Sequence, residues 1–150
     1  ILVMLTAYFS DILQDQQNPN RDLVSRVDSN GRAEVILERN RAGHYVTPGL
    51  INGQPVTFLL DTGATGVAIS ERLAKQLGLS RGQAVLTETA NGRVRSYLTR
   101  LDQVSVGDIV QYDVRATIAP GLSSEEVLLG MSFLRHLEII QKGDTLTLRE

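Results

Sequence analysis

Turn signals punctuate this chain and the stretches around them read as short strands, which limits what it can fold into. Asp28-Ser29-Asn30-Gly31, Asn52-Gly53, Asn91-Gly92 and Lys142-Gly143-Asp144 are the clearest. Asparagine and glycine reach positive φ at little steric cost, so such clusters suit tight hairpins. Between them lie runs rich in Val, Ile, Leu and Thr, residues that fit a pleated, half-buried surface. Ala33 to Arg39 reads as a strand, and His44 to Ile51 and Gln54 to Leu60 as two more joined by Asn52-Gly53. Further strands are expected over Ala84 to Thr89, Arg93 to Val106, Ile109 to Ile118 and Glu126 to Leu129, with a last hairpin turning at Lys142-Gly143-Asp144 before "TLTL". Ser70 can cap a helix from Glu71 to Leu77 that Gly78 closes in the left-handed conformation, and Met131 to Leu137 fits a second short helix. The fold class is all-β with one or two short helices.

At 150 residues, with 42% hydrophobic and 21% charged, the chain suits one domain with a modest core. The opening "ILVMLTAYF" is apolar but too short to cross a bilayer, which takes roughly 20 residues. It fits either the trimmed end of a signal or anchor segment, since it starts at Ile1 and not at Met, or an N-terminal strand or short helix packed on the domain or a partner. The polar "SDILQDQQNPNRD" that follows reads as a linker. Residues 1–22 are therefore set apart from a folded domain over 23–150.

Composition closes several routes to function. A formal net charge of -2 and a pI near 5.7 give no general attraction to nucleic acid or to an anionic membrane surface. Without cysteine there is no disulfide framework, thiolate nucleophile or cysteine metal site. His44 and His136 lie far apart in sequence, without the spacing of a zinc site. No metal or cofactor is expected.

Against that background one stretch stands out, "FLLDTGATGVAIS", Phe58 to Ser70. Asp61 ends an apolar run, where burial would disfavour its charged form and let it hold a proton. Thr62 supplies a hydroxyl for a neighbouring backbone group, and Gly63 and Ala64 let another backbone approach where a larger side chain would collide. A plain turn would use the same residue types. What raises the stretch above a turn is "VLLGMSFL", about 65 residues on, where Leu128, Leu129 and Gly130 open the second helix.

Together these segments resemble the retropepsin-like aspartic proteases, single-domain relatives of pepsin, and in particular the bacterial branch often carried behind an N-terminal membrane anchor. The resemblance covers roughly Ala42 to Leu148. It implies a closed acid-protease barrel, with Asp61, Thr62 and Gly63 as the catalytic triplet and Leu128, Leu129 and Gly130 completing the loop around it. "LTETANGRVRSYL" stands where the family has its flap, with Ala90, Asn91 and Gly92 at the tip. Ala64 takes the place where pepsin-like members generally have serine, as in the retroviral type.

Peptide hydrolysis by this route needs two carboxyls sharing one proton, one to deprotonate the attacking water and one to polarise the carbonyl. No second Asp-Thr-Gly or Asp-Ser-Gly exists, and Asp102, Asp108, Asp113 and Asp144 read as surface residues in strands or turns. The expected partner is Asp61 of a second chain, in an isologous homodimer that takes a peptide or protein substrate. The resemblance further implies that Thr62 bonds across that dimer and that the domain works outside the cytoplasm. His136, on the second helix, His44, opening a strand, and Arg93 and Arg95, beside the flap tip, read as structural or solvated. The competing class is a retropepsin-fold module that binds peptides and cuts little. An aspartyl-phosphate enzyme would need phosphate- and magnesium-binding residues, and none are legible.

Overall fold

The computed structural model describes residues 17–89 and 92–150. The apolar run at residues 1–9 and the flap residues Ala90 and Asn91 lie outside them. No described helix is long and apolar enough to cross a membrane.

Strands follow one another along the chain: β1 Val24–Val27, β2 Ala33–Glu38, β3 Val46–Ile51, β4 Gln54–Leu60 and β5 Val67–Ser70. Helix α1 spans Glu71–Gln76, followed by β6 Ala84–Thr89, β7 Gly92–Val106, β8 Ile109–Ala119 and β9 Val127–Leu129. Helix α2, Met131–Leu134, precedes β10 Glu138–Lys142 and β11 Thr145–Arg149.

The hydrogen-bonded order β3-β4-β9-β5-β8-β7 returns to β3 through Leu50↔Ser105 and Ile51↔Val104, closing a barrel of six strands. Closure removes free edges from this part of the molecule. Proline and glycine in β3 fit that arrangement. Pro48 has no N–H to give, and it lies where β3 pairs with β4 but not with β7. A Cβ on Gly49 would lie 2.4 Å from the ring of Phe58, a fully buried core residue. Strand β6 hangs outside the barrel on β7 as a hairpin arm. A second sheet, in the order β1-β2-β11-β10, packs Val35, Leu37, Leu146 and Leu148 into the core shared with Phe58, Ile69, Leu101 and Phe133.

Local signals act as their chemistry dictates. Asn52 (φ 51) and Gly53 (φ 80) form the turn between β3 and β4. Ser70 Oγ accepts the Leu73 N–H at 3.2 Å as the cap of α1, and Gly78 ends that helix at φ 71.

Three expectations require correction. Helix α2 ends at Leu134 rather than Leu137, because the chain turns through residues 135–137 to enter β10. His136 therefore lies in that turn and not on the helix. His44 precedes β3; its N–H donates to Asn40 Oδ1 and its carbonyl accepts from the Asn40 N–H, in the loop before the strand.

Asn20, inside the polar stretch ahead of Leu23, is buried. Its Nδ2 donates to the carbonyls of Glu38 (3.0 Å) and Val46 (2.8 Å), and its Oδ1 accepts from the Glu38 N–H at 2.7 Å. One side chain thus pins this stretch to the ends of β2 and β3.

Candidate functional site

Strand β9 is only three residues long, yet it organises the site. It runs parallel to β4, with Leu59↔Leu128 and Leu60↔Leu129, and on its other side meets β5 at Ala68↔Leu128. The two strands flanking Asp61's loop are thereby spread apart, and residues 61–66 must cross over the end of β9. The Asp61 N–H donates to the Leu129 carbonyl at 3.1 Å, fixing the acid to that end.

The loop then closes on itself. Asp61 Oδ1 accepts the Gly63 N–H at 3.0 Å, and the Ala64 N–H donates to the Asp61 carbonyl at 3.1 Å. Oδ2 carries no hydrogen bond among the described residues. Asp61 is half-buried in the single chain, Thr62 and Gly63 are exposed, Ala64 and Leu128 are half-buried, and Leu129 and Gly130 are buried. Burial by its own chain therefore covers Asp61 only in part, less than the apolar run before it suggests.

Gly130 is the residue around which the loop can be built. A Cβ there would lie 2.1 Å from the Gly66 carbonyl oxygen and 2.7 Å from that of Ala64. Gly130 is also the N-cap of α2 and offers no side-chain cap. The helix's free N–H groups are satisfied instead by the acid's loop: Met131 N–H donates to the Ala64 carbonyl and Ser132 N–H to the Thr65 carbonyl, each at 2.9 Å. Ser132 Oγ donates to the Arg115 carbonyl at 2.8 Å, tying helix and loop to β8. Ser132 contributes to the support of this loop, and sequence reasoning passed over it. Its position two residues beyond Gly130, at a helix start, was the available signal.

The hairpin arm pairs from Ala84↔Tyr97 to Thr89↔Gly92, and Gly92 sits at φ 101. Arg93 Nε donates to Glu88 Oε1 at 2.8 Å across the arm. At the arm's root the Arg81 guanidinium stacks 4.5 Å from the Tyr97 ring centroid and pairs with Glu71.

Other acids lie elsewhere. Asp113 pairs with Arg100 at 2.8 Å, Asp108 accepts from Ser25 Oγ at 2.9 Å, Asp144 faces Arg39 at 3.6 Å, and Asp102 is exposed on β7. Among the described residues no group of three or more His, Asp or Glu side chains is placed to hold a metal ion. Two surface clefts of about 630 and 650 Å³ are lined by other parts of the chain and not by Asp61. What one chain presents is a single carboxylate, rigidly mounted and open on one side.

Several known proteins are similar to this chain. A family model described as "gag-polyprotein putative aspartyl protease" matches residues 47–136. An uncharacterised protein from Sinorhizobium sp is 36% identical over 127 residues, covering 82% of this chain. The chain spans 54% of that relative's length. A retropepsin-like aspartic protease from Rickettsia conorii superposes with a TM-score of 0.64 at 25% identity, over 85% of this chain and 94% of that one. The EIAV protease, solved with an inhibitor, superposes with a TM-score of 0.53 at 23% identity, over 65% of this chain and 90% of that one. The last likeness is one of fold.

Proposed function

We propose that this chain, which belongs to the gag-polyprotein aspartyl protease family and has its retropepsin-like fold, is an aspartic endopeptidase assembled from two copies of itself. The observation that carries the proposal is the half-buried Asp61, fixed by Leu129 and Gly63 with one oxygen left unbonded, in a chain whose other described aspartates lie elsewhere.

Two Asp61 carboxyls meeting on a two-fold axis would share one proton. The ionised member accepts a proton from water as that water attacks the peptide carbonyl, and the protonated member donates a hydrogen bond to the carbonyl oxygen. The proton then passes to the leaving nitrogen as the tetrahedral species collapses. Thr62, next to the acid in sequence and exposed in the single chain, would bond across the axis. The β6–β7 arm would fold over the bound peptide. An extracytoplasmic, tethered form extends this reading, and the apolar Ile1 to Phe9 supports it.

Cleavage of a mixed peptide library by the wild-type chain and by Asp61→Asn tests the proposal. Loss of cleavage by about a hundredfold or more in the variant is expected. A wild-type dimer that cuts nothing between acid and neutral pH, or a variant that cuts equally well, would leave a peptide-binding module as the better account.

A further inference from the structure

The arm of β6 and β7 is held at its root by the loop that follows α1. The Gly82 N–H donates to the Leu98 carbonyl at 2.7 Å and the Leu98 N–H to the Gln83 carbonyl at 2.9 Å, extending the arm's pairing one step beyond Ala84↔Tyr97. A Cβ on Gly82 would lie 2.7 Å from the same Leu98 oxygen, a backbone atom with little room to give. Glycine at this position is what lets the loop close on β7. Beyond the root the arm has little other support. Among the described residues β6 pairs with β7 alone, and a lone two-stranded hairpin is at best marginally stable in water. Where the arm stands therefore depends on what grips it at the base.

Arg81, the neighbour of Gly82, supplies that grip through its side chain. Its guanidinium lies 4.5 Å from the centroid of the Tyr97 ring, on the first β6–β7 residue pair, and pairs with Glu71. A planar guanidinium can lay its face on a ring and still direct its N–H edge at a carboxylate. Glu71 lies in the first turn of α1, directly after Ser70, which ends β5 and caps the helix. Strand β5 in turn begins directly after residues 61–66, the loop that carries Asp61. Arg81 thus joins the arm to the element that follows the acid. Arg81 and Glu71 keep 44% and 34% of their side-chain surface exposed, so this pair contributes little to holding the barrel folded. A marginal arm is more sensitive to it.

We propose that Arg81 is a positioning residue, which by clamping Tyr97 to Glu71 fixes the arm relative to the Asp61 loop. The inference rests on the protease reading above, in which the arm folds over the bound peptide. Arg81 acts through the arm and does not touch the reacting atoms. The side chain has to be arginine: lysine would keep a charge toward Glu71 but has no planar face for the ring, and glutamine would lose the charge.

Hydrogen exchange and steady-state cleavage on the full chain test it. In Arg81→Gln and in Tyr97→Leu, amides of β6 and of Gly92 to Ser96 should exchange about tenfold faster or more, while those of β3 and β4 keep their wild-type rates. Tyr97→Phe retains the ring and should leave arm exchange as it is in wild type, and Arg81→Lys should resemble Arg81→Gln. On one peptide substrate Arg81→Gln should raise KM about fivefold and change kcat less, because the arm's contacts are lost from bound substrate and transition state alike. Arg81 is exposed, so Arg81→Gln keeps the test readable if Tyr97→Leu fails to fold. An arm whose exchange is unchanged in Arg81→Gln, exchange that rises equally in the barrel, or a looser arm with KM unchanged overturns the proposal. A wild-type chain that cuts no peptide while Arg81→Gln loosens the arm would count against the protease reading and leave the clamp standing.

Discussion

The Met131 amide lies 2.9 Å from the Ala64 carbonyl oxygen, so the first turn of a helix late in the chain is capped by the loop that carries Asp61. The bond exists because Gly130, immediately before Met131, has no side chain to keep the two backbones apart. Gly130→Ala would place a carbon about 2.1 Å from a backbone oxygen that cannot swing away. The loop or the helix must then move, and we expect a destabilisation of about 3 kcal/mol or more. Urea unfolding checks this, and an unchanged midpoint would show that the crossing is not rigid.

Sharing the site between chains has a kinetic signature. Specific activity should fall on dilution through the dimer dissociation constant. Asp61→Asn chains should poison wild-type ones, with activity per wild-type chain falling to roughly half in an equimolar mixture of randomly pairing chains. Stopped-assay dilution and mixing series measure both. Full activity per chain from a dilute monomer would end the shared-site account.

Acid sensitivity of the fold should trace to the second sheet. Glu34, buried in β2, lies in a cross-strand row with Arg26 on one side and Arg149 on the other, and Arg149 also meets Glu138. The Arg149 hydrogen bond, then that from Arg26, holds the Glu34 carboxyl below its ordinary range against the opposing effect of burial. A carboxyl lowered on folding contributes stability above its unfolded value, and that contribution is lost as pH falls through the folded one. Glu34→Gln should therefore melt below wild type at neutral pH, and the gap should narrow as pH drops into the acid range. Thermal melts of both proteins at several pH values measure it; a gap independent of pH would show that the charge is not the source.

Much of the barrel was legible because its signals are local. Gln54–Leu60 and Ala84–Thr89 have the bounds their composition suggests, and Asn52-Gly53 and Gly78 take the positive φ their chemistry allows. The resemblance carried by Asp61-Thr62-Gly63 and Leu128-Leu129-Gly130 pointed to the family and its fold. What stayed hidden depends on distant partners. Val24–Val27 is only four residues long with a polar centre, and becomes a strand by pairing with Ala33–Ile36. "RHLEII" continues a helical composition, but Glu138 to Lys142 pair with β11 and pull the chain out of the helix. Asn20 looked like a linker residue because its three hydrogen bonds reach strand ends that lie 18 and 26 residues away.

The chemistry makes a final prediction through pH. Two neighbouring carboxyls resist ionising together, so they lose their protons in two separated steps, and the productive form is the one that has lost only the first. Cleavage should follow a bell, falling on the acid side as the pair gains its second proton and on the alkaline side as it loses its last. Position 64, joined to Asp61 by a 3.1 Å backbone bond, carries alanine and offers no hydroxyl to the carboxylate pair. A serine there could donate to the ionised form and favour it. Ala64→Ser should therefore move the alkaline limb toward acid, with the substitution small enough to leave the loop in place. Rate against pH for the two proteins, on one peptide substrate, decides the matter. Superimposable alkaline limbs would show that the residue at position 64 does not reach the reacting pair.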